Sequence, residues 1–150
     1  MADLDALYQE VILDHYKRPR NRGRLTPSDR ESEGYNPLCG DRVALTIRLQ
    51  EDETIGEVAF EGEGCAISTA SASLLTEAVS GKTVGEAREI SELFRELVTG
   101  EGDPLADPRL GKLAALVGVR DYPMRVKCAT LAWHTLQAAL EGRDEPVTTE

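Results

Sequence analysis

The chain opens with apolar residues at helical spacing. The positions that recur three and four residues apart are Leu4, Leu7, Tyr8, Val11 and Ile12. This spacing predicts an amphipathic helix over the first fifteen or so residues, because positions three and four apart share one helix face. Pro19 is expected to end that helix, since its ring clashes with the preceding helical turn.

Two strands are predicted in the first half of the chain. Val43, Leu45, Ile47 and Leu49 alternate with more polar neighbours, which is the two-residue period of a half-buried strand. A turn at residues 51–53 then leads into a second, weaker strand pattern over residues 55–60. An antiparallel hairpin is the simplest interpretation of the two patterns.

Helical patterns fill the second half of the chain, and their ends carry recognisable signals. Glycine stops, a capping box and an N-cap followed by proline each mark a helix boundary. The residues that mark these ends are Gly81, Thr83 with Glu86, Asp107 with Pro108, Gly118 and Gly142. The first of these helices follows Cys65, and the last is predicted to begin at about Arg125.

Strands that precede a run of helices favour an α+β fold, with helices packed on one face of a small antiparallel sheet. At 150 residues the chain has the size of one ordinary domain. We therefore expect a single domain over residues 1–150, with a flexible tail from about residue 143 to residue 150.

The charge balance limits the possible partners. The chain carries 27 acidic and 17 basic residues, a formal net charge of −10, so a nucleic-acid backbone would be repelled and is not an expected partner. One stretch departs from this balance, and its basic residues are Lys17, Arg18, Arg20, Arg22 and Arg24. The stretch is interpreted either as a solvated basic loop or as a docking patch for an acidic partner.

The N-terminus and the three cysteines bear on the compartment. The first residues are acidic where a secretory signal would be basic, and no apolar run is long enough to span a membrane. We therefore expect a cytoplasmic protein with no membrane partner, in which thiols stay reduced. Three cysteines in such a compartment favour metal binding or reactivity over a disulfide framework.

Each cysteine lies beside an expected element end. Cys39 precedes the first predicted strand, Cys65 precedes a helix, and Cys128 is placed in the first turn of the last helix. Helix N-termini stabilise negative charge, so Cys65 and Cys128 are expected to favour the thiolate, aided by Arg125 and Lys127. The spacing matches no zinc-finger pattern, however, so inert buried thiols remain an alternative on these grounds alone.

Neither histidine is expected to take part in a site. His15 lies on the first predicted helix, and His134 follows Cys128 by six residues, which puts the two side chains on different helix faces. A cysteine–histidine hydrolase is therefore not favoured, and the chain contains no glycine-rich phosphate loop.

The sequence around the cysteines resembles the three signature blocks of the IscU/NifU-type iron–sulfur assembly family. The blocks are GYNPLCGD (residues 34–41), GEGCAIS (62–68) and KCATLAW (127–133), and the first helix with the loop after it is similar as well. The resemblance implies that Cys39, Asp41, Cys65 and Cys128 bind one metal ion. Three thiolates and one carboxylate suit tetrahedral zinc. As the harder ligand, Asp41 is hypothesised to be the most easily displaced.

Two departures distinguish branches of that family. Lys127 stands where the scaffold branch typically has histidine, and the chain is longer around residues 100–117. Both features resemble the SufU branch. That resemblance implies a protein that binds Zn2+ and accepts persulfide sulfur from a cysteine desulfurase of the SufS type, in concert with downstream iron–sulfur assembly proteins.

The implied mechanism begins with docking on the desulfurase and loss of one zinc ligand. Cys39 is thereby freed as a thiolate and takes the terminal sulfur. Lys127 and Arg125 are interpreted in one of two ways: they stabilise the persulfide anion or pair with Asp41, or they are solvated residues at a helix start. Two alternatives to this sulfurtransferase-like role stay open: a scaffold that holds a transient iron–sulfur cluster on the same four ligands, and a non-catalytic module with structural zinc.

Overall fold

The computed structural model describes residues 2–101, 107–143 and 146–148. These residues form four strands, four α-helices and one 3₁₀ helix. In chain order the elements are α1 (Ala2–Lys17), β1 (Arg30–Asn36), β2 (Asp41–Leu49), β3 (Ile55–Glu63), α2 (Ala66–Val79), α3 (Val84–Thr99), the 3₁₀ helix (Gly111–Asp121), α4 (Pro123–Leu140) and β4 (Val147–Thr148). Among the described residues, no helix has the length and apolar character needed to cross a membrane.

The strands form one sheet in the order β3-β2-β1-β4. The pairs β1–β2 and β2–β3 are antiparallel, whereas β4 pairs with β1 in parallel. The inward residues Val43, Leu45 and Ile47 of β2 are buried. The helix α4 packs against β1 and β2, and α2 packs against β3. The predicted α+β fold, with its antiparallel hairpin and its helices against the sheet, is therefore confirmed.

A polar and aromatic layer joins the helices to one another. The rings of Phe94 on α3 and Trp133 on α4 stack with their centroids 4.8 Å apart. The indole N–H of Trp133 donates to the hydroxyl of Ser71 on α2, and that hydroxyl donates to the carbonyl oxygen of Ala129. Because these hydrogen bonds pair the indole and the hydroxyl, α2 and α4 can pack closely without leaving either group unsatisfied. Both helices carry residues of the candidate site.

Several predicted element ends agree with the structure. The helix α1 ends at Lys17, two residues before Pro19. Thr83 and Glu86 form the predicted capping box, in which each side chain accepts a hydrogen bond from the other residue's main-chain N–H. The fixed cap explains why α3 begins directly after the turn that follows α2.

The helix predicted between Asp107 and Gly118 is wrong in both bounds. The structure has a 3₁₀ helix that begins only at Gly111 and continues through Gly118 to Asp121. The Asp107 carboxylate accepts the N–H of Arg109. This hydrogen bond forms a local turn and does not cap a helix. Gly118 has no positive φ, so it does not form the left-handed cap that would end a helix. Residues 102–106 of the longer middle segment lie outside the described residues.

The predicted tail also differs from the structure in one respect. Val147 and Thr148 pair with Gly34 and Tyr35 of β1. The free edge of β1 offers unpaired N–H and C=O groups, which explains why a short segment of extended chain joins it. Residues 144, 145, 149 and 150 lie outside the described part of the tail.

The strand β1 was not predicted, because its sequence RESEGYN has no apolar alternation. Its inward positions are Ser32, Gly34 and Asn36, all small or polar and all facing α4. A Cβ atom at Gly34 would overlap Thr135 Oγ1 and would lie 3.0 Å from Leu131 Cδ1. The inward face of β1 is therefore covered by the closely packed helix α4, and the large apolar side chains that normally mark a strand in the sequence are absent.

This packing predicts the effect of a methyl group at Gly34. Gly34→Ala is expected to lower the free energy of unfolding by about 1–3 kcal/mol, because α4 must move away from β1. Gly56→Ala is a matched control on β3, since its Cβ would lie no closer than 3.4 Å to any neighbour. The control should change stability by less than about 0.5 kcal/mol. Urea unfolding measures both, and equal effects would contradict the packing argument.

Candidate metal centre

Four elements bring the predicted ligands together. Cys39 lies in the turn between β1 and β2, Asp41 is the first residue of β2, Cys65 is the N-cap of α2, and Cys128 lies on α4. The turn is closed by a hydrogen bond from the N–H of Gly40 to the carbonyl oxygen of Asn36. Gly40 adopts a φ of +72°, a conformation that glycine adopts without strain. The hairpin thus holds Cys39 beside the start of α4.

The ligand atoms of three of the four predicted ligands are close enough to share one ion. Those of Cys39, Asp41 and Cys128 all lie within 4.8 Å of one another, and Cys65 is not part of this cluster among the described residues. The sulfurs of Cys39 and Cys128 are 3.6 Å apart, and the Cys65 sulfur is 3.9 Å from Asp41 Oδ2. Tetrahedral zinc with Zn–S bonds of about 2.3 Å places its sulfurs about 3.8 Å apart. The spacing of Cys39, Asp41 and Cys128 therefore fits zinc, and Cys65 lies next to this group beside Asp41.

Asp41 is held in place from within the protein. Its side chain is fully buried, and its Oδ1 accepts the main-chain N–H of Cys65 at 2.9 Å. Gly64 permits this approach, because a Cβ there would lie 2.9 Å from the same oxygen. Burial and this hydrogen bond weigh against the hypothesis that Asp41 is the ligand most easily displaced.

The three sulfurs have different surroundings. The Cys65 sulfur accepts the N–H of Ser68 at 3.4 Å, and the Cys128 sulfur accepts the side-chain N–H of Asn36 at 3.7 Å. Cys39 is exposed, and within the described residues no N–H group donates to its sulfur. Of the predicted ligands, Cys39 is thus the most exposed, whereas Cys65 is half-buried and Cys128 is buried.

The expectation that Cys128 favours the thiolate through a helix N-terminus is wrong. The helix α4 begins at Pro123, so Cys128 lies in its second turn, and its side chain is fully buried. Burial, together with hydrogen bonds to Asp41 and Cys39, raises the pKa of the Cys128 thiol. Cys65, by contrast, does cap α2, because its sulfur accepts the N–H of Ser68. A bound cation is what would hold Cys128 deprotonated.

The two predicted basic residues differ in their relation to the cysteines. The charge of Cys65, a hydrogen bond to Cys128 and the charges of Cys128 and Cys39 raise the pKa of the exposed Arg125 guanidinium. Arg125 therefore lies where it can offset negative charge on the sulfurs. Lys127 is half-buried, and in the described part of the chain its ammonium forms no ion pair.

The histidines and the basic stretch have structural partners elsewhere. Neither His15 nor His134 belongs to the ligand cluster found among the described residues. The buried His15 ring lies 2.7 Å from Ser73 Oγ, between α1 and α2. The arginines of the basic stretch are largely paired within the chain: Arg18 and Arg20 with Asp14, Arg22 with the Gly62 carbonyl, and Arg24 with Glu31 and Glu61. This internal pairing favours a structural role over a docking patch.

Sequence reasoning did not find Asn36 or Gly64 as parts of the site. Asn36 points inward from β1, a strand that was not predicted, so its position next to Cys128 could not be inferred. Gly64 lies directly before Cys65, and its close approach to Asp41 depends on the meeting of β2 and α2. The signal present in the sequence was that both residues fall within the quoted blocks around Cys39 and Cys65.

Comparisons with known proteins agree with this site. The family profile for the NifU-like N-terminal domain matches residues 7–129. A zinc-dependent sulfurtransferase, SufU, of Bacillus subtilis (strain 168) is 47% identical over 137 residues, which cover 91% of this chain and 90% of the relative. The iron–sulfur cluster assembly scaffold protein IscU of Streptococcus pyogenes serotype M1 is 43% identical over 141 residues, covering 94% and 87%.

A solved structure gives the same result. It is described as an iron–sulfur cluster assembly scaffold protein for the SUF system, from Fervidobacterium islandicum AW-1. It superposes with a TM-score of 0.82 at 38% identity and covers 87% of this chain and 94% of its own. The extent of these matches, together with the convergence of the cysteines, shows that this chain belongs to the NifU-like N-terminal domain family of iron–sulfur cluster assembly proteins.

Proposed function

We propose that the protein is a zinc-bound sulfur carrier of iron–sulfur cluster biogenesis, which takes persulfide sulfur from a cysteine desulfurase onto Cys39. The observation that carries this proposal is the exposure of Cys39 beside two predicted ligands, Asp41 and Cys128, that are fully buried. A purely structural site has no need of an exposed thiol. The similarity to the Bacillus sulfurtransferase, 47% identical over most of both chains, supports the same role.

The four side chains that would hold the ion are Cys39, Asp41, Cys65 and Cys128. Zinc bound there would keep its thiolate ligands deprotonated at neutral pH. The other three side chains supply the fixed part of the site, since Asp41 accepts the main-chain N–H of Cys65 and Cys128 belongs to the packed helix α4. Cys39 supplies the reactive part, because it lies in a turn at the surface.

The proposed transfer is a thiol–disulfide type of exchange. The thiolate of Cys39 attacks the terminal sulfur of a persulfide on the desulfurase, and a new S–S bond forms on Cys39. The S–S bond of the donor breaks, and its cysteine leaves as a thiolate, so one sulfur atom moves with no net oxidation or reduction. The Arg125 guanidinium interacts electrostatically with the cysteines, and it stabilises the persulfide anion that results.

The surface around Cys39 suits a protein partner. Leu38, Tyr122 and Met124 are large, exposed apolar residues, and they belong to the β1–β2 turn and the start of α4, the segments that carry Cys39 and Cys128. We name these three residues the apolar rim. Exposed apolar groups beside a reactive group are typical of the centre of a protein interface. The rim is therefore the proposed contact for the desulfurase, and the transfer is proposed to take place in the cytoplasm, where thiols stay reduced.

The scaffold function is a second candidate, supported by the similarity to cluster assembly scaffold proteins. The Streptococcus IscU, 43% identical, is called a cluster assembly scaffold, and the same four side chains are suitable ligands for an iron–sulfur cluster. Lys127 favours sulfur transfer over this function, because it stands where the resemblance to the scaffold branch implies a histidine and a protonated lysine has no lone pair to offer.

The rim predicts how variants affect the desulfurase. Adding the protein to the desulfurase of the same source, with cysteine as substrate, is expected to raise its turnover. In a Tyr122→Ser/Met124→Ser variant, the concentration that gives half-maximal stimulation should rise about tenfold or more, because interface anchors carry most of the binding energy. A Leu13→Ser/Tyr16→Ser variant is the matched control, since these exposed residues lie on α1. No stimulation by the unsubstituted protein would count against sulfur transfer.

A further inference from the structure

Asn36 contacts the candidate metal site from inside the protein. It is the last residue of β1, its side chain is fully buried, and its Nδ2 donates to the Cys128 sulfur at 3.7 Å. The other end of the same carboxamide, Oδ1, is buried and has no hydrogen-bond partner within the described residues. A buried polar atom without a partner is uncommon in folded proteins and calls for an explanation.

We propose that Asn36 is a positioning residue of the metal site, whose side-chain N–H orients the Cys128 sulfur and offsets its negative charge when it binds the ion. This inference rests on the metal site of the proposed function. It explains the unpaired oxygen, because the carboxamide has only two orientations in its pocket. The orientation that would turn the oxygen toward a metal-bound, anionic sulfur is repulsive, and the observed one is attractive.

The charge of the site supports a need for such a donor. Three thiolates and one carboxylate around a divalent cation leave an excess of two negative charges in a largely buried place. Asp41 Oδ1 and the Cys65 sulfur receive main-chain N–H groups, which a folded backbone supplies with any side chain in place. For Cys128, the donor on the buried side is the side chain of Asn36. A different side chain at position 36 would therefore remove the hydrogen-bond donor on the buried side of the Cys128 sulfur.

The position of β1 explains why Asn36 can do this. Asn36 pairs with Asp41 across the β1–β2 hairpin, and its carbonyl oxygen accepts the N–H of Gly40. The residue is thus fixed by backbone contacts at the base of the turn that carries Cys39. Outer partners that orient a metal ligand in this way typically change metal affinity by about 10–100-fold when they are removed.

The test uses the full chain with Zn2+ and Co2+ as probes. Asn36→Ala removes the donor, and Asn36→Asp keeps the size of the side chain but replaces the N–H group with a second oxygen. Both variants are expected to lower zinc affinity, measured by competition with a chelator, by about 10-fold or more, and Asn36→Asp by the larger factor. Ser32→Ala is the matched control, because Ser32 is also buried on the inward face of β1, with an unpaired hydroxyl among the described residues.

A spectroscopic readout separates orientation and charge from a merely structural role. With Co2+ bound, the sulfur-to-metal charge-transfer band of the Asn36 variants should move to longer wavelength, because a sulfur without its N–H donor gives up charge more readily. Unchanged affinity and an unmoved band in Asn36→Asp would overturn the inference. If the unsubstituted protein bound neither ion tightly, the metal site and the proposed function would fail together. If all variants bound Zn2+ as tightly as the unsubstituted protein, only the proposed role of Asn36 would be contradicted, and the metal site would stand.

Discussion

Replacement of Cys39 by serine is expected to reduce sulfur uptake from the desulfurase to the background level. Cys39 is the exposed cysteine of the site, whereas Cys128 is fully buried and Cys65 is tied to the start of α2 by Ser68. A serine hydroxyl is not a thiolate and cannot form the S–S bond of a persulfide. Transfer of radioactive sulfur from labelled cysteine to the protein measures the effect directly.

A second variant separates the two roles of Cys39, as ligand and as acceptor. Cys39→Asp offers a carboxylate in place of the thiolate, so the site keeps four anionic ligands but loses the sulfur that accepts the transfer. This variant should retain most of its zinc while its sulfur uptake falls as far as that of Cys39→Ser. Undiminished uptake in the zinc-loaded Cys39→Asp protein would identify another cysteine as the acceptor and contradict the proposed mechanism.

Substitution of Asp41 is expected to have the second large effect. Asp41→Ala removes a proposed ligand and also leaves the N–H of Cys65 without its acceptor. Loss of a residue that only orients a ligand typically lowers metal affinity by about 10–100-fold. Loss of the ligand Asp41 itself should lower the zinc affinity by more than this. The metal-free protein should lose about 1–3 kcal/mol of stability, because a half-buried N–H group is left unpaired. Chelator competition and urea unfolding measure the two effects separately.

Asp41→Asn is the matched control for these two roles. An asparagine oxygen can still accept the N–H of Cys65, so the stability of the metal-free protein should stay close to that of the unsubstituted chain. The neutral amide is a weak ligand for zinc, so the affinity should still fall strongly. Zinc binding as tight in Asp41→Asn as in the original protein would show that Asp41 is not a ligand.

The sequence was most informative where elements carry their own local signals. The capping box at Thr83 and the alternation of Val43, Leu45 and Ile47 depend on neighbouring residues, and both predictions were confirmed. The strand β1 lacks such a signal, because its inward positions are filled by α4 rather than by its own side chains. Pairing with β2 makes it a strand, and that long-range contact leaves no trace in the local pattern.

The candidate site shows the same limit. No local spacing joins Cys39, Cys65 and Cys128, and only the resemblance of the surrounding blocks brought them together before the structure did. The environment of Cys128 was predicted incorrectly, because α4 begins at Pro123 and not at about Arg125. That shift moves the cysteine from an exposed helix start into the core. The contact of Asn36 with its sulfur depends on the packing of β1 against α4.

The most direct test of the central claim is native mass spectrometry of the full chain after incubation with cysteine and the matched desulfurase in the absence of air. The measurement reports bound metal and added sulfur on the same molecule. A zinc-bound sulfur carrier predicts one zinc ion and one added sulfur atom per chain, with the sulfur on the peptide that contains Cys39. Bound iron and inorganic sulfide would instead identify a scaffold, and zinc without added sulfur would identify a structural metal site.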